Sequence, residues 1–191
     1  AKLQKGQRVL IHAGSGGVGT IAIQLAKHLG AHVATTVSTA NIDLVKSLGA
    51  DVVVDYKKDD FEKVLKGYDV VLNSLGKDTL EKSLAVLKPG GKLISISGPP
   101  DPDFARENGF GWLLQQVMRF LSFGIRRKSK RLGIGYSFLF MTANGAQLGK
   151  ITSLIEAGAI RPVIDRAFQF EKTNEALDYV ETGRVKGKVV I

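Results

Sequence analysis

Arg8-Val9-Leu10-Ile11-His12-Ala13-Gly14-Ser15-Gly16-Gly17-Val18-Gly19 joins an apolar run to a glycine-rich turn, and Val18 to Leu29 then carries apolar residues at Ile21, Ala22, Leu25, Ala26 and Leu29. An unbroken apolar run reads as a buried strand and the following spacing as one face of a helix, so the stretch is strand, tight turn, helix. Gly30 ends that helix, and Ala31 to Val37 reads as a second strand. Asn41 can cap a helix through Leu48, Gly49 ends it, and Val52-Val53-Val54 is a third strand. Leu29-Gly30-Ala31 and Leu48-Gly49-Ala50 mark equivalent joints of a repeating unit.

The alternation continues with a short helix at Phe61 to Leu65, a fourth strand at Tyr68 to Asn73, a helix at Leu80 to Leu87, a turn at Lys88-Pro89-Gly90-Gly91 and a fifth strand at Lys92 to Ser97. Strands that are apolar almost throughout, separated by helices, require a parallel sheet covered on both faces, since a sheet wetted on one side would alternate apolar and polar residues. The expected class is α/β, a doubly wound parallel sheet. From Gly98 to Gly133 the rhythm breaks, with an amphipathic helix expected over Trp112 to Phe123 and a basic loop after it. Tyr136 to Met141 reads as a sixth strand and Ala146 to Ala157 as a helix. Beyond Gly158 come a strand at Val163 to Phe170, a helix at Thr173 to Thr182 and a terminal strand at Lys188 to Ile191, which do not extend the repeat.

Composition narrows the function classes. Apolar residues make up 44% and charged residues 24% of the 191, which excludes wholesale disorder. No apolar run approaches the roughly 18 to 20 residues of a bilayer span, no export signal stands at the N-terminus, and a cytoplasmic location is expected. With no cysteine there are no disulfides, thiolate nucleophiles or cysteine-bound zinc. The net charge is +9, but Arg126, Arg127, Lys128, Lys130 and Arg131 fall in six residues, so the excess is local rather than the field of a nucleic-acid binder.

Gly14, Gly16 and Gly19 fit G-x-G-x-x-G where a strand ends and a helix begins, the context of a dinucleotide site. The first glycine permits the tight turn, the second lets backbone N–H groups approach a pyrophosphate, and the third lets helix and strand pack closely. An NAD site usually places Asp or Glu about twenty residues on, at the end of the second strand. Here Thr36-Val37-Ser38-Thr39-Ala40-Asn41 holds no acid, and the hydroxyls of Ser38 and Thr39 can donate to a 2′-phosphate. NADP(H) is therefore the expected cofactor. Lys57 and Lys58, at the end of the third strand, either border the same pocket or form an exposed pair.

Other chemistries lack their residues. The missing acid weakens a methyltransferase reading, and the positions four beyond Tyr56, Tyr68, Tyr136 and Tyr179 are Asp60, Leu72, Phe140 and Gly183, so the Tyr/Lys pair of a short-chain dehydrogenase is absent. The histidines His12, His28 and His32 form no metal-binding pattern, since Gly30 breaks the helix between the last two. His12 is expected to line the strand end rather than act as a base.

His12-Ala13-Gly14-Ser15-Gly16-Gly17-Val18-Gly19, Ile23-Gln24-Leu25-Ala26-Lys27, Leu29-Gly30-Ala31, Leu48-Gly49-Ala50-Asp51, Asp55-Tyr56, Leu87-Lys88-Pro89-Gly90-Gly91 and Gly187-Lys188-Val189-Val190-Ile191 together resemble the medium-chain dehydrogenase/reductase superfamily, and within it the zinc-free quinone oxidoreductase branch. The resemblance implies a Rossmann fold and hydride transfer from NADPH to a quinone or α,β-unsaturated carbonyl without metal. It places Ser15, Gly16, Gly17 and Val18 at the pyrophosphate, Ser38 and Tyr56 around the 2′-phosphate, and Leu75 and Ser97 near the nicotinamide. Asn73-Ser74-Leu75-Gly76 departs from the Asp and Val-Gly pair common there. Such proteins begin with a GroES-like substrate domain, and this chain begins at the connection before the first nucleotide-binding strand. The resemblance thus implies a cofactor domain at 1–158, a segment at 159–191 that returns to the absent domain, catalytic residues that lie largely in that absent domain, so that no residue of this chain is named as acid or base, and no turnover by the chain alone. It also points to a homodimer through the edge strand at 136–141. The alternative is an interaction protein that uses residues 112–131 to engage a nucleic acid or a protein.

Overall fold

The computed structural model describes residues 2–191. Six parallel strands, β1 (Arg8–Ile11), β2 (His32–Val37), β3 (Val52–Asp55), β4 (Tyr68–Asn73), β5 (Leu87–Ser95) and β6 (Gly135–Phe138), form one sheet in the order β3-β2-β1-β4-β5-β6. This is the doubly wound order expected from the βα rhythm. Both faces are covered. Val9 and Ile11 pack with Ile23 and Ala26 of α1 (Gly19–His28) and Val45 of α2 (Ile42–Ser47). Leu10, between them in sequence, packs instead with Phe61 of α3 (Phe61–Val64) and Leu80 of α4 (Lys77–Ser83). Alternate residues of one strand serve opposite cores, which is why the strand is apolar throughout.

The two equivalent joints are Schellman caps. Gly30 and Gly49 take φ of +77° and +102°, the amides of Ala31 and Ala50 return to the carbonyls of Ala26 and Val45, and those of the glycines to Lys27 and Lys46.

Several boundaries differ from the sequence reading. Helix α4 begins and ends before the expected Leu80 to Leu87, because Leu87 opens β5 opposite Tyr68. The expected turn at Lys88 to Gly91 lies within that strand as an irregularity: Tyr68 pairs with Leu87 but Val70 with Lys92. The segment Gly98 to Gly133 holds three helices, α5 (Pro102–Glu107), α6 (Trp112–Leu121) and α7 (Phe123–Arg131). Asp101 caps α5 through the Phe104 amide, with Pro102 in its first turn. The basic stretch is helix α7 rather than a loop, because Ile125 and Ser129, four apart, are buried while the cations face outward. Strand β6 stops at Phe138, leaving Leu139 to Met141 outside it.

Helix α8 (Gly145–Glu156) follows, and then β7 (Ile164–Ala167) pairs in parallel with β8 (Lys188–Val190) around α9 (Thr173–Glu181). This segment is tied to the sheet layer. Gln24 of α1 donates to the Arg161 carbonyl and accepts from the Arg161 amide, at 2.9 and 2.8 Å. The Gly187 amide donates to the Ser15 carbonyl at 2.8 Å.

Candidate functional site

At the carboxyl ends of β1, β2 and β3 the chain forms a cavity of about 790 Å³. Its first wall is the glycine turn. Ala13 takes φ of +52°, a conformation that costs an alanine about 1–2 kcal/mol, and the amide of Gly14 is fixed to the Thr36 carbonyl at 3.1 Å. The glycines then do different work. A Cβ on Gly19 would lie 2.6 Å from the Gly14 Cα and closer still to the Ala13 carbonyl oxygen, while one on Gly14 would run into the Thr35 side chain. Both glycines are therefore required by packing alone. At Gly16 a Cβ would meet only the Ala13 carbonyl oxygen, at 3.3 Å, and its open side lines the cavity. Internal packing does not demand glycine there; a close-approaching ligand does. Helix α1 starts behind this turn with no side-chain cap and no acidic residue in its first turn, leaving its leading amides for an anion.

Of the expected site residues, Ser15, Gly16, Ser38, Tyr56 and Leu75 line the cavity. Gly14 and Gly19 are buried beneath it, and Val18 points away. Gly17 faces the other way, toward Gly187 and the Lys188 side chain. Ser97 lies outside the lining; its hydroxyl donates to the Leu75 carbonyl at 2.6 Å and so holds the loop that does line it.

The end of β2 is organised differently from the sequence expectation. Asn41 precedes α2 but its side chain makes no cap. Its amide instead reaches Ser15 Oγ at 3.0 Å and Ser38 Oγ at 3.4 Å, and its remaining polar atom is buried without a partner at the cavity wall. Turned over, the amide keeps both hydroxyl contacts, so it can offer a ligand either a donor or an acceptor. Thr39 is not free to donate to a ligand. Because Val37 pairs with Asp55 across the two strand ends, the Thr39 hydroxyl donates to the buried Asp55 carboxylate. That carboxylate also accepts the Lys57 amide and lies 3.8 Å from Lys58 Nζ. The Thr39 hydroxyl bond holds the Asp55 carboxyl below the usual carboxylate range, against the desolvation that opposes it. The lysine pair is thereby split: Lys58 is tied to Asp55 and Lys57 lines the cavity.

His12 forms the floor. It is buried with Nδ1 3.0 Å from Thr36 Oγ1, Nε2 3.0 Å from Ser83 Oγ, and its ring edge-on to Phe61. The Ser83 hydroxyl donates to the Thr79 carbonyl, so Ser83 Oγ accepts from His12 Nε2–H and Nδ1 accepts from Thr36. Burial pushes the imidazole down to about 4. It is a neutral brace between β2 and α4 rather than a base. Since the unfolded imidazole titrates near 6.5, the unfolded chain takes up the proton first; the contribution is full above that pH and is lost as pH falls toward 4. Denaturant titrations across this window should show a loss of about 3 kcal/mol, and His12→Gln should flatten that slope.

Sequence reasoning missed the second wall. Arg184, Val185 and Lys186, from the segment before β8, also line the cavity, next to Gly187, whose amide meets the glycine turn at the Ser15 carbonyl. The signal available was compositional: Gly183 to Lys188 carries three cations and no acid.

Known proteins resemble this chain in sequence and fold. A profile of the family described as zinc-binding dehydrogenase matches residues 48–191. Over 195 residues the chain is 36% identical to 2-methylene-furan-3-one reductase of Solanum lycopersicum, covering 100% of this chain and 42% of that protein. It is 34% identical over 190 residues to the chloroplastic NADPH-dependent alkenal/one oxidoreductase of Arabidopsis thaliana, covering 97% and 40%. The quinone oxidoreductase structure from Coxiella burnetii superposes with a TM-score of 0.81 at 30% identity, over 99% of this chain and 53% of that one. The chain spans about half the length of the relatives it matches.

Proposed function

Because this chain belongs to the zinc-binding dehydrogenase family of the medium-chain dehydrogenase/reductase superfamily, we propose that it is the NADP(H)-binding domain of a zinc-independent reductase of quinones or α,β-unsaturated carbonyls. The observation that carries the cofactor is the cavity itself: Gly16 opens onto it without a packing reason to be glycine, and a buried amide atom of Asn41 waits there without a partner. The turn amides and the start of α1 hold the pyrophosphate, Ser38, Tyr56 and Lys57 surround the 2′-phosphate, and Leu75, steadied by Ser97, borders the nicotinamide end. Bound NADPH supplies the hydride. The residues of this chain bind and orient it and keep carboxylate charge away, since no acid lines the cavity and Asp55, at the end of β3, is spent on Thr39. The name of the Arabidopsis relative, which specifies NADPH and alkenals or enones, supports the same choice.

A zinc ion does not fit these residues. Among the described residues no three His, Cys, Asp or Glu side chains gather, and both nitrogens of His12 are engaged. The zinc-independent branch is proposed from the likeness to quinone oxidoreductases. Residues 1–158 are proposed as the cofactor unit and 159–191 as the segment facing a substrate domain, with Arg184 to Lys186 of that segment also lining the cofactor cavity. A homodimer through residues 136–141 accords with the exposed Leu139, Phe140 and Met141 beside the edge strand. Asp101 already accepts the Phe138 amide at 2.8 Å, so side chains rather than a full ladder would join the copies.

Calorimetric titration tests the cofactor. NADPH should bind more tightly than NADH, and Lys57→Ala should weaken NADPH about tenfold while leaving NADH unchanged. Equal losses for both would remove Lys57 from the 2′-phosphate site, and a preference for NADH would overturn the NADP(H) assignment.

A further inference from the structure

From residue 108 to 155 the chain contains no Asp or Glu at all. Seven of its 27 cations and none of its 18 acids fall in these 48 residues, so the other 143 carry only +2 of the net +9. The structure folds this stretch into a surface of unusual polarity. Helix α6 is turned inside out: Gln115, Gln116 and Met118 are partly covered and Ser122 is buried, whereas Trp112 (72%), Leu113 (68%) and Phe120 (83%) are exposed. A surface helix that covers its glutamines and wets its aromatics is built to meet an apolar medium. Directly beside it, Arg119, Arg126, Arg127 and Lys130 line an open groove with Phe123 and a single acid, Asp103. Among the described residues, only Lys128 of the seven cations has an acidic partner, Glu81.

We infer that α6 and α7 form a docking surface for an anionic lipid bilayer, with Trp112, Leu113 and Phe120 entering the headgroup boundary and the arginines of α7 meeting lipid phosphates. Apolar and cationic side chains on adjoining helices match a surface that is oily beneath and negative on top. A second copy docking through the same face would set Arg119, Arg126, Arg127 and Lys130 against their own copies with only Asp103 of the groove to answer them. A nucleic acid would satisfy the cations and leave the apolar row wet. No helix among the described residues is long and apolar enough to cross a membrane, so the association is peripheral.

Trp112, the only tryptophan of the chain, reports on this directly. The purified protein is titrated with vesicles of phosphatidylcholine alone, or of phosphatidylcholine with phosphatidylglycerol, following cosedimentation and tryptophan emission. Binding should require phosphatidylglycerol, shift the emission to the blue and reverse in high salt. Arg126→Glu with Arg127→Glu should weaken partitioning by on the order of tenfold or more. Phe120→Ser, at an exposed position, should weaken it too, with circular dichroism and NADPH affinity unchanged in both variants. Equal binding to neutral vesicles, or none to anionic ones at low salt, overturns the proposal. So does an emission shift that needs only higher protein concentration, which assigns the face to a second copy, or one produced by polyglutamate but not by vesicles, which assigns it to an acidic protein.

Discussion

Gly19→Ala should destabilise the domain severely. The added methyl would sit against three backbone atoms of the turn, the Ala13 carbonyl oxygen and the Cα and carbonyl carbon of Gly14, and backbone cannot rotate away as a side-chain tip can. Relief requires moving α1 off β1, which opens the packing of Ile23 and Ala26 against Val9 and Ile11. The expected cost is on the order of 4 kcal/mol or more, a large share of a domain's stability. The same methyl on Gly17 meets mainly the mobile Lys188 side chain and the Gly187 carbonyl, and should cost less. Thermal unfolding of the series should rank Gly19→Ala as by far the worst; a Gly19→Ala protein that melts like the parent would show that helix and turn do not touch as described.

The reverse order is expected for ligand binding. Gly16→Val should fold, since its Cβ finds only one slightly close neighbour, yet lose NADPH affinity by on the order of a hundredfold, about 3 kcal/mol, because the branched side chain occupies the space in which a pyrophosphate approaches the turn amides. Calorimetry with NADPH, on protein shown by circular dichroism to be folded, separates the two effects. Retained affinity in a folded Gly16→Val variant would exclude the glycine turn from the nucleotide site.

How far these properties can be read from sequence depends on whether they are local. The strand-turn-helix at Arg8 to His28 and the joints at Gly30 and Gly49 are set by residues within a few positions of one another, and the sheet order followed from them. The Thr39–Asp55 bond is not local: it needs the register that puts Val37 opposite Asp55, so a hydroxyl that looked available to a phosphate is spent on a carboxylate. Asn41 looked like a cap by position, yet its amide is drawn to Ser15, twenty-six residues back. The basic stretch read as a loop because its charge outweighed two uncharged residues, Ile125 and Ser129, whose burial makes it a helix. Arg184 and Lys186 were out of reach because no periodicity relates them to the turn they face.

The bond from the Gly187 amide to the Ser15 carbonyl sets an order of events during synthesis. On the ribosome the six-stranded sheet can close once residue 138 has emerged, but the cavity still lacks its second wall until Arg184 to Gly187 arrive. A nascent chain therefore passes through a stage in which the sheet is complete and the cavity still lacks one of its walls. A chain cut after β6 should therefore hold the nucleotide more weakly than one that reaches Gly187, because its cavity is open where Arg184 to Lys186 stand.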